Sequence, residues 1–89
     1  MKIKLELFGA TRDFSNKNFL EFNIKDQLEI KNFRKEIVNY LVKNFKGNEN
    51  FIKIVKSSAF CSEDNNIVSD DFKIIKDQKI GIIPPIGGG

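Results

Sequence analysis

Alternation of apolar and polar residues predicts two strands in the first part of the chain. Residues 2–8 place Ile3, Leu5 and Leu7 on one face and leave Phe8 on the other, among charged residues. Residues 19–24 repeat the alternation, with Leu20, Phe22 and Ile24 on one face. Period-two patterning is typical of half-buried strands. The two runs therefore predict an antiparallel hairpin joined by a long polar loop over residues 9–18.

The apolar spacing then changes to three and four residues, which predicts a helix. Its apolar stripe is Ile30, Phe33, Ile37, Leu41 and Phe45. Gly47 follows and suits a left-handed cap, since glycine lacks a Cβ. At the other end Asp26 is a candidate cap, whereas Glu29 is a poor one, so the helix start is less well defined.

Further short elements are predicted after the helix. Residues 51–57 are interpreted as a third strand, with Ile52 and Ile54 facing inward. Residues 61–71 are polar and rich in turn formers, with a short extended piece at 67–68. Residues 79–83 predict a last strand with Ile80 and Ile82 on one face and Gly81 and Ile83 on the other.

A chain of 89 residues is expected to form one core. A hairpin, one helix and further strands predict an α+β fold, a mixed sheet of four to five strands with one main helix packed on one face. The ubiquitin-like or β-grasp arrangement is the simplest one with this order. It sets the last strand beside the first, in parallel. We expect the domain to span residues 1–83, followed by an extended tail at 84–89.

Composition narrows the possible functions. The chain has no histidine, so it lacks the commonest general base and zinc ligand, and no metal site is predicted. Its single cysteine, Cys61, cannot form an internal disulfide, and we interpret it as a small packing residue. The net charge of +3 comes from interspersed lysines and acidic residues. We therefore expect no nucleic-acid partner, no membrane association and a cytoplasmic location.

The end of the sequence suggests a chemical role. Pro84 and Pro85 fix φ and donate no backbone hydrogen bond, so they end the last strand and favour a stiff exit. Ile86, Gly87, Gly88 and Gly89 follow. Residues without a Cβ fit a narrow channel in a partner protein. We therefore expect Gly89 to present a carboxylate to other enzymes, as opposed to a frayed end or a cloning remnant.

The segment Ile82-Ile83-Pro84-Pro85-Ile86-Gly87-Gly88-Gly89 resembles the tail of the small subunit of molybdopterin synthase. The stretch from Ile3 to Asp13 is similar to that family's first strand and loop, and Ile30 to Ile37 to its helix start. The resemblance implies a β-grasp fold and a terminal glycine adenylated by a ubiquitin-activating-type adenylyltransferase. ATP is used by that enzyme, and no cofactor is bound permanently. The glycine then becomes a thiocarboxylate, which donates sulfur to cyclic pyranopterin monophosphate within the large synthase subunit, in a two-plus-two heterotetramer.

The sequence departs from the family in three places. The turn before the last strand is Lys76-Asp77-Gln78-Lys79, and the segment at 57–59 reads Ser-Ser-Ala. The pI is about 9.1, whereas family members are often acidic. Two alternatives stay open: a sulfur carrier for thiamine or tRNA thiolation, and a ubiquitin-like modifier or interaction module that carries no sulfur.

Strand parity predicts a surface for partner proteins. If the first and last strands are neighbours, Phe8 and Ile83 point away from the helix, beside Gly81 and beneath the tail. Large apolar groups on a polar face are typical of docking surfaces. Arg12, on the adjacent loop, matches an arginine of the family; it is a candidate to pair with an acidic partner residue, and the alternative is an ordinary surface charge.

Overall fold

The structure is a computed structural model that describes residues 1–85. The main sheet within that range is mixed and has five strands: β1 (Lys2–Leu7), β2 (Phe19–Asn23), β4 (Ala59–Cys61), β5 (Ile67–Val68) and β7 (Gln78–Ile83). A separate two-stranded sheet joins β3 (Leu28–Glu29) to β6 (Lys73–Ile74). The order in the main sheet is β2-β1-β7-β4-β5; β1 pairs with β2 in antiparallel and with β7 in parallel, and β7 pairs with β4 in antiparallel.

The predicted hairpin is present, but its connection is not wholly irregular. A 3₁₀ helix, Gly9–Phe14, follows β1 and buries Phe14 completely. The register pairs Leu5 with Leu20 and Ile3 with Phe22, which sets the apolar faces of both strands together. Alternation therefore predicted both strands and their relative orientation.

The main helix, α1 (Ile30–Asn44), lies across one face of the sheet. Glu29 precedes it without a side-chain cap, and Asp26 makes no cap either. Instead, the N–H groups of Ile30 and Lys31 donate to the carbonyls of Phe72 and Asp70. Backbone carbonyls of the loop between β5 and β6 therefore accept from the first N–H groups of the helix, and a search for capping side chains does not find such partners.

The core lies between α1 and the sheet. Each of the predicted helix positions from Ile30 to Leu41 is fully buried, and Phe45 is half-buried beyond the helix end. Gly47 has the predicted left-handed φ, +71°, but the helix ends earlier, with Phe45 as its C-cap, and Lys46 is the first left-handed residue after it, at a φ of +54°. The three central strands contribute Ile3, Leu5, Leu7, Phe60, Ile80 and Ile82 to this core, and other elements contribute Phe14, Leu20, Val55 and Ile74.

The prediction of a strand at 51–57 is wrong, because Glu49–Ser57 forms a second helix, α2. Asn48 caps it, and its Oδ1 accepts from the N–H groups of Asn50 and Phe51 at 3.0 and 3.2 Å. Val55 is fully buried, whereas the predicted inward residues Ile52 and Ile54 are half-buried. The strand that the sequence analysis placed at 51–57 instead lies after α2, at β4.

Arg34 holds α1 to the end of α2. Its guanidinium donates to Val55 O at 2.7 Å and Ser58 O at 2.8 Å, and Val55 O also accepts from Ser58 N–H at 3.3 Å where the helix ends. It also pairs with Asp70 at 2.8 Å and lies over the ring of Phe60, 4.8 Å from its centroid. These contacts fix the end of α2 against α1.

The predicted α+β architecture is confirmed. A mixed sheet carries α1 on one face, and β1 and β7 are parallel neighbours at its centre, as in the β-grasp or ubiquitin-like fold. The polypeptide therefore leaves the domain from a central strand that is hydrogen-bonded on both sides.

Candidate functional site

The sheet face opposite α1 is here called the outer sheet face. Because Ile80 and Ile82 of β7 are buried against the core, Gly81 and Ile83 point to the outer sheet face. The register sets Cys61 opposite Gly81 and Ala59 opposite Ile83. The predicted parity of the last strand therefore holds.

Gly81 is covered by two side chains. A Cβ added to it would stand 3.1 Å from Phe8 Cε2 and 2.6 Å from Cys61 Sγ, although the backbone there needs no unusual φ. A glycine at this position lets Phe8 and Cys61 approach the strand from either side. Phe8, Gly81 and Cys61 thus form a continuous apolar row, in which the Phe8 side stays partly open at 36% exposure.

Hydrogen bonds to the Thr11 side chain hold the backbone of Phe8. The Thr11 hydroxyl accepts from Phe8 N–H at 2.9 Å and donates to Phe8 O at 2.6 Å. Thr11 is fully buried, so these bonds are shielded from water. The turn into the 3₁₀ helix therefore holds the Phe8 backbone in one conformation.

The chain exit, Ile83–Pro85, is here called the tail root. Pro84 packs against Gly9, whose φ is +55° and where a Cβ would stand 3.1 Å from Pro84 Cγ. Pro84 is half-buried and Pro85 is exposed. A cavity of about 230 Å³ opens beside the tail root, lined by Ala10, Asn50, Lys53, Ile54, Ser57, Pro84 and Pro85. The chain is thus held at Pro84, and Pro85 is exposed at the edge of the cavity.

Arg12 lies apart from the apolar row. It is exposed near the end of the 3₁₀ helix and lines an open depression with Tyr40, Asn44 and Phe45, toward the end of α1. None of the ion pairs within residues 1–85 includes it. Of the predicted docking residues, the structure brings together Phe8, Gly81 and Ile83 but sets Arg12 on the helix side.

Two further residues, Ile67 and Ala59, extend the row across the sheet beyond Cys61, and the sequence analysis placed none of the three there. Cys61 is buried at 9% exposure, and Ile67 of β5, its partner in the register, is 66% exposed. Ala59 is exposed opposite Ile83. The alternation Ala59-Phe60-Cys61 indicates a strand with Ala59 and Cys61 on the same face. The sequence analysis missed it because it assigned a strand to 51–57 instead. Interpreting Cys61 as a packing residue agrees with its burial.

Charged side chains border this apolar surface. Lys79 pairs with Glu6 at 3.8 Å, and Lys4 lies 4.3 Å from the centroid of the Phe19 ring. Both pairs lie on the outer sheet face, on the β1 and β2 side of Gly81. The arrangement is an apolar centre beside a polar rim, the composition usual in protein–protein interfaces.

The tail residues Ile86, Gly87, Gly88 and Gly89 lie outside the described residues. Within residues 1–85, no three histidine, cysteine, aspartate or glutamate side chains are grouped so that they could hold a metal ion. In the same part of the chain, neither α1 nor α2 has the length and apolar character needed to cross a membrane.

Two solved structures share this fold over nearly the whole chain. One is a Pyrococcus furiosus protein provisionally described as molybdopterin converting factor, subunit 1, with a TM-score of 0.70, 18% identity and coverage of 96% of this chain and 98% of that one. The other is SAMP1 from Haloferax volcanii, with a TM-score of 0.68, 10% identity and full coverage of both chains. No family model matches the sequence, and no curated protein matches it significantly.

Proposed function

We propose that this chain is a ubiquitin-like sulfur carrier that acts as the small subunit of a molybdopterin synthase. In this role Gly89 carries the reactive group, first as a carboxylate, then as an acyl adenylate and finally as a thiocarboxylate. The observation that carries the proposal is the tail root. A central strand, paired with β1 up to Ile82 and with β4 up to Ile83, leads directly into Pro84-Pro85 and the glycines of the sequence.

The tail root suits delivery of a chain end into another protein. Pro84 is seated against Gly9, so the exit direction is set by packing, and the two prolines restrict φ beyond it. Ordering a flexible residue costs about 1–2 kcal/mol of conformational entropy, so a stiff stem lowers the entropy lost on docking. Glycines without side chains then fit a narrow channel that residues with a Cβ would block.

The chemistry requires little of the carrier itself. A carboxylate is a poor acyl donor, and its attack on the α-phosphorus of ATP releases pyrophosphate and gives an acyl adenylate. Hydrosulfide then attacks the acyl carbon, and AMP leaves with the bonding electron pair. The product is a thiocarboxylate. The activating enzyme supplies the catalytic groups, which agrees with a chain that has no histidine.

The outer sheet face is the proposed docking surface for both partners. Phe8, Cys61 and Ile83 lie next to the tail root, so a protein that binds the tail also meets this apolar centre. Aromatic residues near the middle of an interface commonly carry much of its binding energy. We assign Phe8 that role, with Arg12 as a separate contact on the helix side for an acidic residue of the partner.

The choice of molybdopterin synthesis over other sulfur-carrier pathways is supported by two independent points. The sequence has Pro-Pro before its glycines, as in the small synthase subunit. A protein described as molybdopterin converting factor, subunit 1, has the same fold over almost the whole chain.

Reconstitution with the large subunit tests this function. The carrier is prepared with a chemically installed thiocarboxylate at Gly89, which bypasses the activating enzyme, and is mixed with a molybdopterin synthase large subunit and cyclic pyranopterin monophosphate. We expect formation of the dithiolene and return of the carrier to its carboxylate form. The control is the same protein with an ordinary carboxylate, which forms no product.

The alternatives predict different outcomes in the same system. A carrier for thiamine or tRNA thiolation keeps its thiocarboxylate in the presence of the large subunit. A modifier that carries no sulfur in its own pathway also gives no dithiolene there, and in a separate incubation with ATP and its activating enzyme it forms an isopeptide bond with a partner lysine. Either outcome contradicts the proposed function.

A further inference from the structure

A second surface lies on the helix side of the molecule, away from the outer sheet face. One face of α1 and the end of α2 enclose an open groove of about 440 Å³. Its lining includes Lys31, Arg34, Lys35, Val38, Lys56 and Asp70. The α1 residues follow the spacing of one helical face, so the groove runs along the helix for about two turns. This surface is here called the basic groove.

The basic groove concentrates the positive charge of the protein. Four cationic side chains and one carboxylate line it, a net charge of +3, which equals the formal net charge of the whole chain. The remaining charges therefore sum to zero. The sequence does not show this cluster, since its lysines and acidic residues are interspersed. The cluster forms when folding brings Lys56 of α2 beside Lys31 and Lys35 of α1.

Among residues 1–85, Asp70 is the one carboxylate that lines the basic groove, and it is already engaged. Asp70 pairs with Arg34 at 2.8 Å, and Arg34 also donates to Val55 O and Ser58 O. Lys35 and Lys56 take part in no ion pair within residues 1–85, and both are exposed. Lys31 pairs with Glu29 at 3.6 Å, at an exposed site where such pairs are weak. Positive charge is thus left for an outside ligand.

The floor of the basic groove is apolar. Val38 is half-buried and packs against the core, and the alkyl chains of Lys31 and Lys35 flank it along the same helix face. An occupant that matches both features has an apolar side chain for the floor and carboxylates for the rim. Flat aromatic surfaces for base stacking are not among the groove-lining residues, so its chemistry suits a peptide better than a nucleic acid.

We propose that the basic groove binds an acidic segment of a partner protein, anchored by an aliphatic side chain over Val38 and held by carboxylates near Lys35 and Lys56. The basic groove shares no lining residue with the cavity beside the tail root, although α2 borders both. The proposal does not depend on sulfur transfer.

The test uses the full chain, labelled with ¹⁵N, and a synthetic peptide acetyl-EDLLDE-amide as the probe. We expect amide shifts at Lys31, Lys35, Val38 and Lys56, and an affinity that falls with added salt. The double variant K35E/K56E is expected to weaken binding about tenfold or more, since two attractions become repulsions. The matched control K17E/K25E changes net charge equally at exposed lysines outside the basic groove and is expected to bind within about twofold of the unchanged protein.

Two probe controls separate the features. A peptide with both leucines replaced by serine is expected to bind several-fold more weakly, because it has no apolar anchor. A single-stranded RNA hexamer is expected to cause no comparable shifts at the same salt concentration. The proposal is overturned if the acidic peptide causes no shifts in the basic groove, if K17E/K25E weakens binding as much as K35E/K56E, or if the RNA binds the groove more tightly.

Discussion

The ring of Phe8 lies over Gly81 so closely that a Cβ at position 81 would stand 3.1 Å from Phe8 Cε2. The same Cβ would stand 2.6 Å from Cys61 Sγ, closer than real Cβ contacts allow. The glycine is therefore part of the surface that Phe8 and Cys61 build, and its small size sets how closely they approach the strand.

Gly81→Ala tests this packing. We expect a loss of about 1–3 kcal/mol in the free energy of unfolding, since Cys61 or Phe8 must move to admit the methyl group. Adding Cys61→Ala removes the closer obstacle, so the double variant is expected to regain at least about 0.5 kcal/mol over the sum of the single changes. Urea unfolding of the four proteins measures the coupling. Strict additivity would show that position 81 tolerates a side chain without contact to Cys61.

Replacement of Phe8 tests the docking surface. Phe8→Ala is expected to weaken binding to the activating enzyme and to the large synthase subunit about tenfold or more, because it removes the aromatic group next to the tail root. Ile75→Ala is the matched control, since Ile75 is also a large exposed apolar residue, 61% exposed and just after β6. Calorimetric titration of each variant measures the affinities. Equal weakening by both variants, or by neither, contradicts a special role for Phe8.

Thr11 is expected to act on docking through Phe8. Thr11→Val keeps the shape of the side chain but leaves the Phe8 N–H without its acceptor, at a cost of about 1–3 kcal/mol in folding stability. We also expect faster hydrogen exchange at the Phe8 amide and weaker partner binding. Thr11→Ser retains the hydroxyl and is expected to keep the slow exchange. If Thr11→Val leaves both exchange and binding unchanged, the hydroxyl does not hold Phe8 in place.

Much of the fold could be predicted from periodicity, because the strands β1, β2 and β7 and the helix α1 carry large apolar residues at the spacing of one face. The segment 51–57 could not, since Ile52 and Ile54 alternate as in a strand while Phe51, Ile54 and Val55 also share a helical face. Asn48, as an N-cap three residues before Phe51, is the local signal that favours the helix. Because a strand was predicted where α2 lies, the strand β4 that follows α2 was not predicted, and Cys61 was not assigned to the outer sheet face.

The site was predictable where strand parity determines it and not where tertiary packing does. Phe8, Gly81 and Ile83 follow from alternation along two central strands. The location of Arg12 depends on the path of a 3₁₀ helix that no periodic pattern indicates. The basic groove depends on how α2 packs on α1, and in the sequence Lys35 is separated from Lys56 by the rest of α1, a turn and most of α2.

The central claim is tested most directly by the intact mass of the carrier after incubation with ATP, the activating enzyme and a sulfide source. We predict a mass increase equal to the difference between one sulfur and one oxygen atom, localised to the peptide that ends at Gly89. A variant lacking Gly89 is expected to remain unloaded with an unchanged thermal midpoint. An unchanged mass for the full chain in the presence of active enzyme, or normal loading of the shortened variant, would contradict the account.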